Sequence, residues 1–274
     1  MNTEARGIRF SILDLGKMQC DQNLVVTGSL YATRSCPNKP NRMLDISIDS
    51  LLIDVPGYGN ILYDLGCDPK GMEEHWPESI QELSPYYQTP QQTLEYQLGL
   101  LGLTPEDILT VILSHMHVDH AGYLYLFPHT EIIVQRREME AAFAYAFSQL
   151  DQENHTLYMR RDITAPVDRY TVIDGDYEIC PGVTCIHLPG HTPGMMGLQV
   201  DLDNGTFLFA RDTAYTADNY GPPSIPSGIG GDVGQYIQSH EKLRRLEKET
   251  GGKVIFGHDW NQWSAMKHAP AYYQ

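Results

Sequence analysis

The feature that most constrains this sequence is a short histidine-rich segment that directly follows an apolar run. The run, residues 108–113, is rich in β-branched side chains and predicts a short buried strand. Behind it come His115, His117, Asp119 and His120, four potential metal ligands within six residues. At a strand end residues i and i+2 point to the same side, whereas on a helix they diverge. The first two imidazoles can therefore converge on one ion, with the other two ligands close by.

A purely structural role for this cluster is the alternative to a metal site. A single histidine in an apolar setting is more often a hydrogen-bonded core residue than a ligand. Burying several imidazoles and carboxylates without a cation, however, would leave polar groups unpaired at a cost of about 1–3 kcal/mol each. The clustering of the four side chains therefore favours a metal site.

Three later segments repeat the same pattern, a β-rich run with a potential ligand at its end. These ligands are His191, Asp212 and His258. Each would be a weak signal alone, because a lone histidine or aspartate is as often structural. Together with the first cluster they make five histidines and two aspartates, more than the four ligands of a tetrahedral zinc site. Two metal ions that share one carboxylate would use all seven.

Composition restricts the partners and the location of the protein. The net charge of −16 argues against a nucleic-acid partner, which would require a basic face. No apolar run approaches the roughly 20 residues of a membrane span, and residues 1–6 lack the apolar core of a signal peptide. The five cysteines form no C-x-x-C pair, which indicates free thiols in a reducing compartment. We therefore expect a cytoplasmic protein without a membrane partner.

The pattern of apolar residues and turns predicts a single domain over residues 1–274, since no linker, repeat or low-complexity segment divides the chain. Residues 16–41 form an irregular region that is too long for a plain connection and is expected to be a functional loop. Asn204 and Gly205 predict a tight hairpin turn. Strands are predicted at 7–15, 46–54, 60–66, 108–113, 131–134, 183–188, 197–202, 206–210 and 253–256, and helices at 93–101, from 104, at 136–149 and at 236–249.

The complete series, His115-x-His117-x-Asp119-His120 followed by His191, Asp212 and His258, resembles the motif series of the metallo-β-lactamase superfamily. The resemblance implies an α/β fold, an αββα sandwich with a dinuclear site at its edge. It also implies that the histidines at 115, 117 and 191 hold the first metal ion, and that residues 119, 120 and 258 hold the second. The aspartate at 212 would then bridge the two ions. Two Zn²⁺ ions are expected, with iron, manganese and cobalt as open alternatives.

Within the superfamily the chain resembles the N-acyl homoserine lactone lactonases in segments 114–122, 189–194, 212–215 and 256–259. Tyr215, three residues after the bridging aspartate, matches the substrate-facing phenol of that family. The resemblance implies that a metal-bridging hydroxide opens a lactone ring, with Tyr215 stabilising the oxyanion and Asp119 moving a proton. The chain departs from the family pattern in residues 16–43 and 216–231. In the family, the corresponding segments line the substrate pocket. A homodimer is left open.

Other functions on the same site are not excluded by the sequence. A different small lactone such as 4-pyridoxolactone, an ester or a thioester would require much the same ligands, and a binding protein without turnover is a third alternative. The other histidines are predicted to be core or surface residues, residues 228–231 a flexible loop, and the aromatic run 123–127 part of the core. These histidines are His75, His129, His155, His187, His240 and His268.

Overall fold

The computed structural model describes residues 7–148 and 157–274, whose strands form two β-sheets. The strands of the first sheet are β1 (Arg9–Asp21), β2 (Met43–Val55), β3 (Gly59–Tyr63), β4 (Tyr86–Tyr87), β5 (Ile108–Ile112), β6 (Glu131–Gln135) and β7 (Arg169–Ile173). Their order across the sheet is β4-β1-β2-β3-β5-β6-β7. Strands β1, β2 and β3 pair antiparallel, whereas β3, β5, β6 and β7 run parallel.

The second sheet is formed by the later part of the chain. Its strands are β8 (Tyr177–Cys180), β9 (Val183–His187), β10 (Met196–Leu202), β11 (Gly205–Arg211) and β12 (Lys253–Phe256). They lie in the order β12-β11-β10-β9-β8, and only the β11–β12 pair is parallel among the described strands of this sheet. Strands β9, β11 and β12 therefore point in the same direction, and their carboxyl ends meet at one edge.

Helices cover the outer faces of the two sheets. They are α1 (Gln22–Val25), α2 (Glu78–Leu83), α3 (Leu94–Gly99), α4 (Arg136–Ser148), α5 (Arg160–Ile163), α6 (Ala217–Tyr220), α7 (Val233–Thr250) and α8 (Trp260–Ser264). Short turns of 3-10 or π type lie at Gly71–His75, Pro90–Gln92, Pro105–Asp107 and Leu124–Leu126. Within the described ranges, no helix is both long and apolar enough to span a bilayer.

Alternation of apolar residues along the strands produces the layers. Phe10 and Tyr63 of the first sheet pack against Leu198 and other residues of the second sheet in a shared inner core. Neighbouring positions such as Leu13 point to the opposite face and pack under α2 to α5. On the far side of the second sheet, Leu243 of α7 packs against strand residues. The layers thus run helix, sheet, sheet, helix, and the predicted αββα sandwich is confirmed.

The first strand extends further along the chain than the sequence predicts. It was expected to stop at residue 15, whereas β1 continues to Asp21 through a register shift between Asp14 and Lys17. Gly16 lies in this bulge with φ +105°, and a Cβ atom there would meet the carbonyl oxygen of Tyr87 at 2.4 Å. A glycine in a bulge and a glycine that ends a strand look alike in sequence. The irregular region is accordingly shorter than predicted.

Other differences are confined to element ends and short elements. The strand predicted at 60–66 ends at Tyr63, because Asp64 turns the chain with φ 61°. The helix expected from residue 104 is only the 3-10 turn Pro105–Asp107. Strands β4, β7 and β8 and the shortest helices were not predicted. The remaining predicted elements are confirmed to within a few residues, with residue 149 outside the described range.

Candidate metal centre

Strand ends from both sheets meet at the edge where the predicted ligands lie. The loop after β5 carries His115, His117, Asp119 and His120, and the ends of β9, β11 and β12 lead to His191, Asp212 and His258. The backbone N–H of Met196, at the start of β10, donates to the carbonyl of Ser114 and joins the second sheet to the first loop. The structure brings all seven predicted ligands together in two groups.

The first group consists of three buried histidines, which we call the histidine cluster: His115, His117 and His191. Nδ1 of His117 lies 3.1 Å from Nε2 of His115 and 3.0 Å from Nε2 of His191. Oδ2 of Asp212 lies 3.3 Å from the His191 nitrogen and 3.8 Å from that of His115. Three ring nitrogens and one carboxylate oxygen therefore surround a single point.

The second group, the mixed cluster, contains Asp119, His120, Asp212 and His258. Oδ1 of Asp212 lies 3.1 Å from Nε2 of both His120 and His258. Oδ2 of Asp119 lies 3.4 Å and 3.6 Å from the same two nitrogens. The two carboxylate oxygens of Asp212 thus face different clusters, which is the geometry that a shared ligand requires.

Hydrogen bonds on the far side of the rings fix their orientation. Nδ1 of His120 lies 2.8 Å from the Asp64 carboxylate. Nδ1 of His258 lies 2.8 Å from the carbonyl of Ser47, and Nδ1 of His191 lies 2.7 Å from that of Ile229. Because carboxylates and carbonyls only accept, these Nδ1 atoms carry a proton, and Nε2 of each ring faces the cluster.

The donor set fits divalent metal ions. Nitrogens about 3 Å apart that direct lone pairs at one another repel unless a proton or a cation lies between them. Nε2 of His120 is buried and has no hydrogen-bond partner among the described residues. Imidazole together with carboxylate suits zinc and the neighbouring transition metals rather than calcium or magnesium. A cation in each cluster would satisfy these atoms.

Electrostatics differ between the two clusters. Burial lowers the pKa of His115 and His117 well below the usual value and lowers that of His191 as well, so these rings are neutral. Burial opposes the charge on His120 and His258, but the neighbouring aspartates outweigh it and raise the pKa of both rings, so a cation in the mixed cluster would displace protons.

Burial opposes the charge on Asp212, but the surrounding histidines outweigh it and hold the pKa of this carboxyl well below its usual range. Burial likewise opposes the charge on Asp119, yet His120 brings its pKa to about 2. Both carboxylates are ionised.

Tyr215 lies beside both clusters. Its ring centroid is 4.8 Å from that of His258 and 5.7 Å from that of His191, and the side chain is buried. Burial and the neighbouring Asp212 raise the pKa of Tyr215 well above its usual value. The phenol therefore keeps its proton and can act as a hydrogen-bond donor at the site.

Two buried carboxylates near the site were missed by the sequence analysis. Asp64 accepts from the backbone N–H and the hydroxyl of Ser114, at 2.7 and 2.8 Å, and pairs with Arg211 at 3.0 Å. Asp64 follows an apolar strand, as Asp212 does, so the pattern that identified Asp212 could also have identified Asp64. Glu138 lies on α4 and carried no such signal, because a glutamate in an amphipathic helix is usually exposed.

The histidines that were not assigned to the site lie outside both clusters where the structure describes them. Nε2 of His187, a residue of β9, lies 3.3 Å from the carbonyl of Pro193, and His240 is buried with its pKa lowered to about 4 by burial. His75 and His129 pair with aspartates, and His268 packs on Trp263. His155 lies outside the described residues.

The two other segments interpreted as structural are also located. Residues 228–231 form a loop as predicted, and this loop packs closely, since Gly228 donates to the carbonyl of Leu24. The aromatic run is mostly core, with Tyr123 and Phe127 fully buried, but Tyr125 is 41% exposed.

A groove of about 840 Å³ leads to the mixed cluster. It is lined by both segments in which the sequence departs from the family pattern, including Met43 on one side and Thr216 on the other. Val25 and Leu44 contribute apolar surface, and His258 of the mixed cluster is also part of the lining. The groove is large enough for a small molecule with an apolar tail.

Comparisons with known proteins extend over the fold and the site. A family model described as the metallo-beta-lactamase superfamily matches residues 45–258, which include both clusters. N-acyl homoserine lactonase AiiB of Agrobacterium fabrum (strain C58) is 33% identical over 98% of this chain and 100% of its own length. N-acyl homoserine lactonase AiiA of Bacillus thuringiensis subsp. kurstaki is 36% identical over 64% of this chain and 65% of its own.

Solved structures are similar over the same range. An N-acyl homoserine lactone hydrolase with the product N-hexanoyl-L-homoserine at its catalytic metal center has a TM-score of 0.83 and 26% identity, covering 99% of this chain and 100% of that one. A quorum-quenching N-acyl homoserine lactone hydrolase has a TM-score of 0.82 and 27% identity, with both chains fully covered.

Proposed function

Because this chain belongs to the metallo-β-lactamase superfamily and, within it, to the N-acyl homoserine lactonases, we propose that it is a metal-dependent hydrolase that opens the lactone ring of N-acyl homoserine lactones. The observation that carries the proposal is the carboxylate of Asp212, whose two oxygens face the histidine cluster and the mixed cluster, with the Tyr215 phenol alongside. Opening such a ring would quench quorum signalling.

Two divalent ions would occupy the two clusters, and zinc is the proposed metal, with iron, manganese and cobalt as alternatives. His115, His117 and His191 would hold one ion, and Asp119, His120 and His258 the other, with the carboxylate at 212 shared. When bound, the ions supply Lewis-acid activation of water and of the substrate carbonyl. The outward hydrogen bonds described above would keep the ligand geometry fixed during turnover.

The remaining chemistry is assigned to two side chains. Tyr215 would donate a hydrogen bond to the lactone carbonyl oxygen, on which negative charge develops as the ring opens. Asp119 is the more accessible carboxylate, since its side chain is 13% exposed whereas that of Asp212 is 1% exposed. Because Asp119 is ionised, it can accept a proton and return it to the departing ring oxygen.

Several broader properties belong to the same proposal. We propose one domain over residues 1–274, since strands from both sheets contribute ligands to one site. A small lactone is the proposed partner, and the charge of −16 disfavours nucleic acid. A cytoplasmic location is supported by five free cysteines, four of them buried. A homodimer stays open.

A panel of substrates tests the proposed function on metal-loaded protein. It contains N-acyl homoserine lactones of several acyl lengths, a plain γ-lactone, 4-pyridoxolactone and a thioester, and proton release is recorded for each. We expect the highest kcat/KM for an acyl homoserine lactone. Faster turnover of another member would move the assignment to that substrate class, and binding without turnover would indicate a binding protein.

Tyr215→Phe is expected to lower kcat by about 10- to 1000-fold while changing KM less, because it deletes one donor to the developing oxyanion. Metal content should stay at the wild-type value and is measured in parallel. Tyr220→Phe is the matched control, since the hydroxyl of Tyr220 donates to Glu247 instead. Unchanged kcat in a Tyr215→Phe protein with full metal content would remove this tyrosine from the mechanism.

A further inference from the structure

Glu138 on α4 is a fully buried carboxylate that accepts four hydrogen bonds. Oε1 accepts from the backbone N–H of Met116 at 2.9 Å and from the hydroxyl of Tyr158 at 3.0 Å. Oε2 accepts from the hydroxyl of Thr192 at 2.6 Å and from the backbone N–H of Gly194 at 3.3 Å. Burial raises the pKa of Glu138, but every one of these partners donates, and the four bonds act against that shift.

The four donors belong to the segments that carry or touch the histidine cluster. Met116 lies between two of its histidines, and Thr192 directly follows the third. The ring of Tyr158 lies 4.6 Å from that of His117, edge to face. A Cβ atom at position 194 would meet the backbone nitrogen of Glu138 at 2.3 Å, so glycine is required for this loop to reach the helix.

These bonds connect loops that start from different sheets. The 115–117 segment follows β5 of the first sheet, and the 191–194 segment follows β9 of the second. All three histidines of the cluster come from these two loops, and one side chain on a third element binds both. Together with the backbone hydrogen bond from Met196 to Ser114, this side chain holds the two loops next to each other.

We propose that Glu138 is a positioning residue that sets the geometry of the histidine cluster and thereby its affinity for metal, an inference that depends on the metal site proposed above. The mixed cluster should be independent of it. Its ring orientations are fixed by Asp64 and by the carbonyl of Ser47. The effect of Glu138 is therefore expected at one of the two ions only.

Glu138→Gln tests the proposal, because the amide keeps the shape but turns its NH₂ group toward the backbone N–H of Met116 or of Gly194, and both of these groups can only donate. Loss of such an outer partner typically costs 10- to 100-fold in metal affinity. The affinity is measured by Zn²⁺ competition with a chromophoric chelator. Glu140→Gln, an exposed glutamate on the same helix, is the matched control and should bind as wild type.

Two parent variants, each with only one intact cluster, show which cluster Glu138 affects. In His258→Ala the histidine cluster is intact, and there Glu138→Gln should weaken Zn²⁺ binding by about 10- to 100-fold. In His117→Ala the mixed cluster is intact, and there the same change should leave affinity unaltered. Equal losses in both backgrounds would mark Glu138 as a general structural residue and overturn the proposal, as would no loss in either.

Milder variants protect the test against misfolding. Thr192→Val and Tyr158→Phe each remove a single donor to Glu138. Each should lower Zn²⁺ affinity only in the His258→Ala background, and by less than Glu138→Gln does.

A wild-type protein that binds no Zn²⁺ or opens no lactone would contradict the proposed function. Normal wild-type binding and turnover with unaltered variants would contradict only the role of Glu138.

Discussion

Removal of the metal ions by chelation is expected to abolish lactone hydrolysis and to lower the melting temperature. The seven predicted ligands follow four different strands, so an ion that binds only the folded chain would stabilise it. An ion at 100 times its dissociation constant contributes about 2.7 kcal/mol. For two ions in a chain of this size we expect a loss of about 10 °C or more. Activity and thermal unfolding are measured on the same metal-free sample.

Restoring the ions provides the control for this experiment. Zn²⁺, Mn²⁺ or Co²⁺ added after the chelator has been removed should bring back both activity and melting temperature. Titration of the metal-free protein should saturate at two ions per chain. Full activity in a sample that elemental analysis finds free of metal, or with one ion per chain, would refute the dinuclear site.

Asp212→Asn is expected to produce the largest loss among single substitutions. The amide keeps the shape of the side chain but cannot offer two anionic oxygens to two cations. Both 3.1 Å contacts with the mixed cluster would lose their charge, as would the 3.3 Å contact with His191. We expect the loss of one ion and a fall in kcat/KM of at least about 1000-fold, beyond the usual cost of removing one oxyanion donor.

Asp201→Asn is a suitable comparison for that variant. Asp201 is a partly buried aspartate in the same sheet, and it accepts from Thr206 and Gln199 rather than facing either cluster. It should retain the wild-type metal content and activity. Wild-type metal content in Asp212→Asn would mean that this aspartate does not bridge two ions.

The convergence of the candidate ligands was predictable because these residues follow strands. A short apolar run and a polar residue behind it are both visible in sequence, and the series at 115–120, 191, 212 and 258 repeats that pattern. The hydrogen-bond partners of the Nδ1 atoms, which face away from the clusters, were harder to predict from the sequence. Two of them are backbone carbonyls, at Ser47 and Ile229, and a carbonyl has no sequence signature.

The sandwich itself was inferred from the resemblance, while the pattern of residues located most of its strands. The errors have local causes. The bulge at Gly16 resembles a strand end, and β7 and β8 lack the continuous apolar run of a buried strand. Glu138 was missed since its burial depends on donors that are distant in sequence, such as Thr192.

The position of the last ligand along the chain has a consequence for biosynthesis. His258 follows β12, an edge strand of the second sheet that pairs with β11. During synthesis from the N-terminus, the histidine cluster and Asp212 emerge from the ribosome before this strand exists. The mixed cluster can close only after β12 has docked. All residues of the histidine cluster are therefore available before those of the mixed cluster are complete.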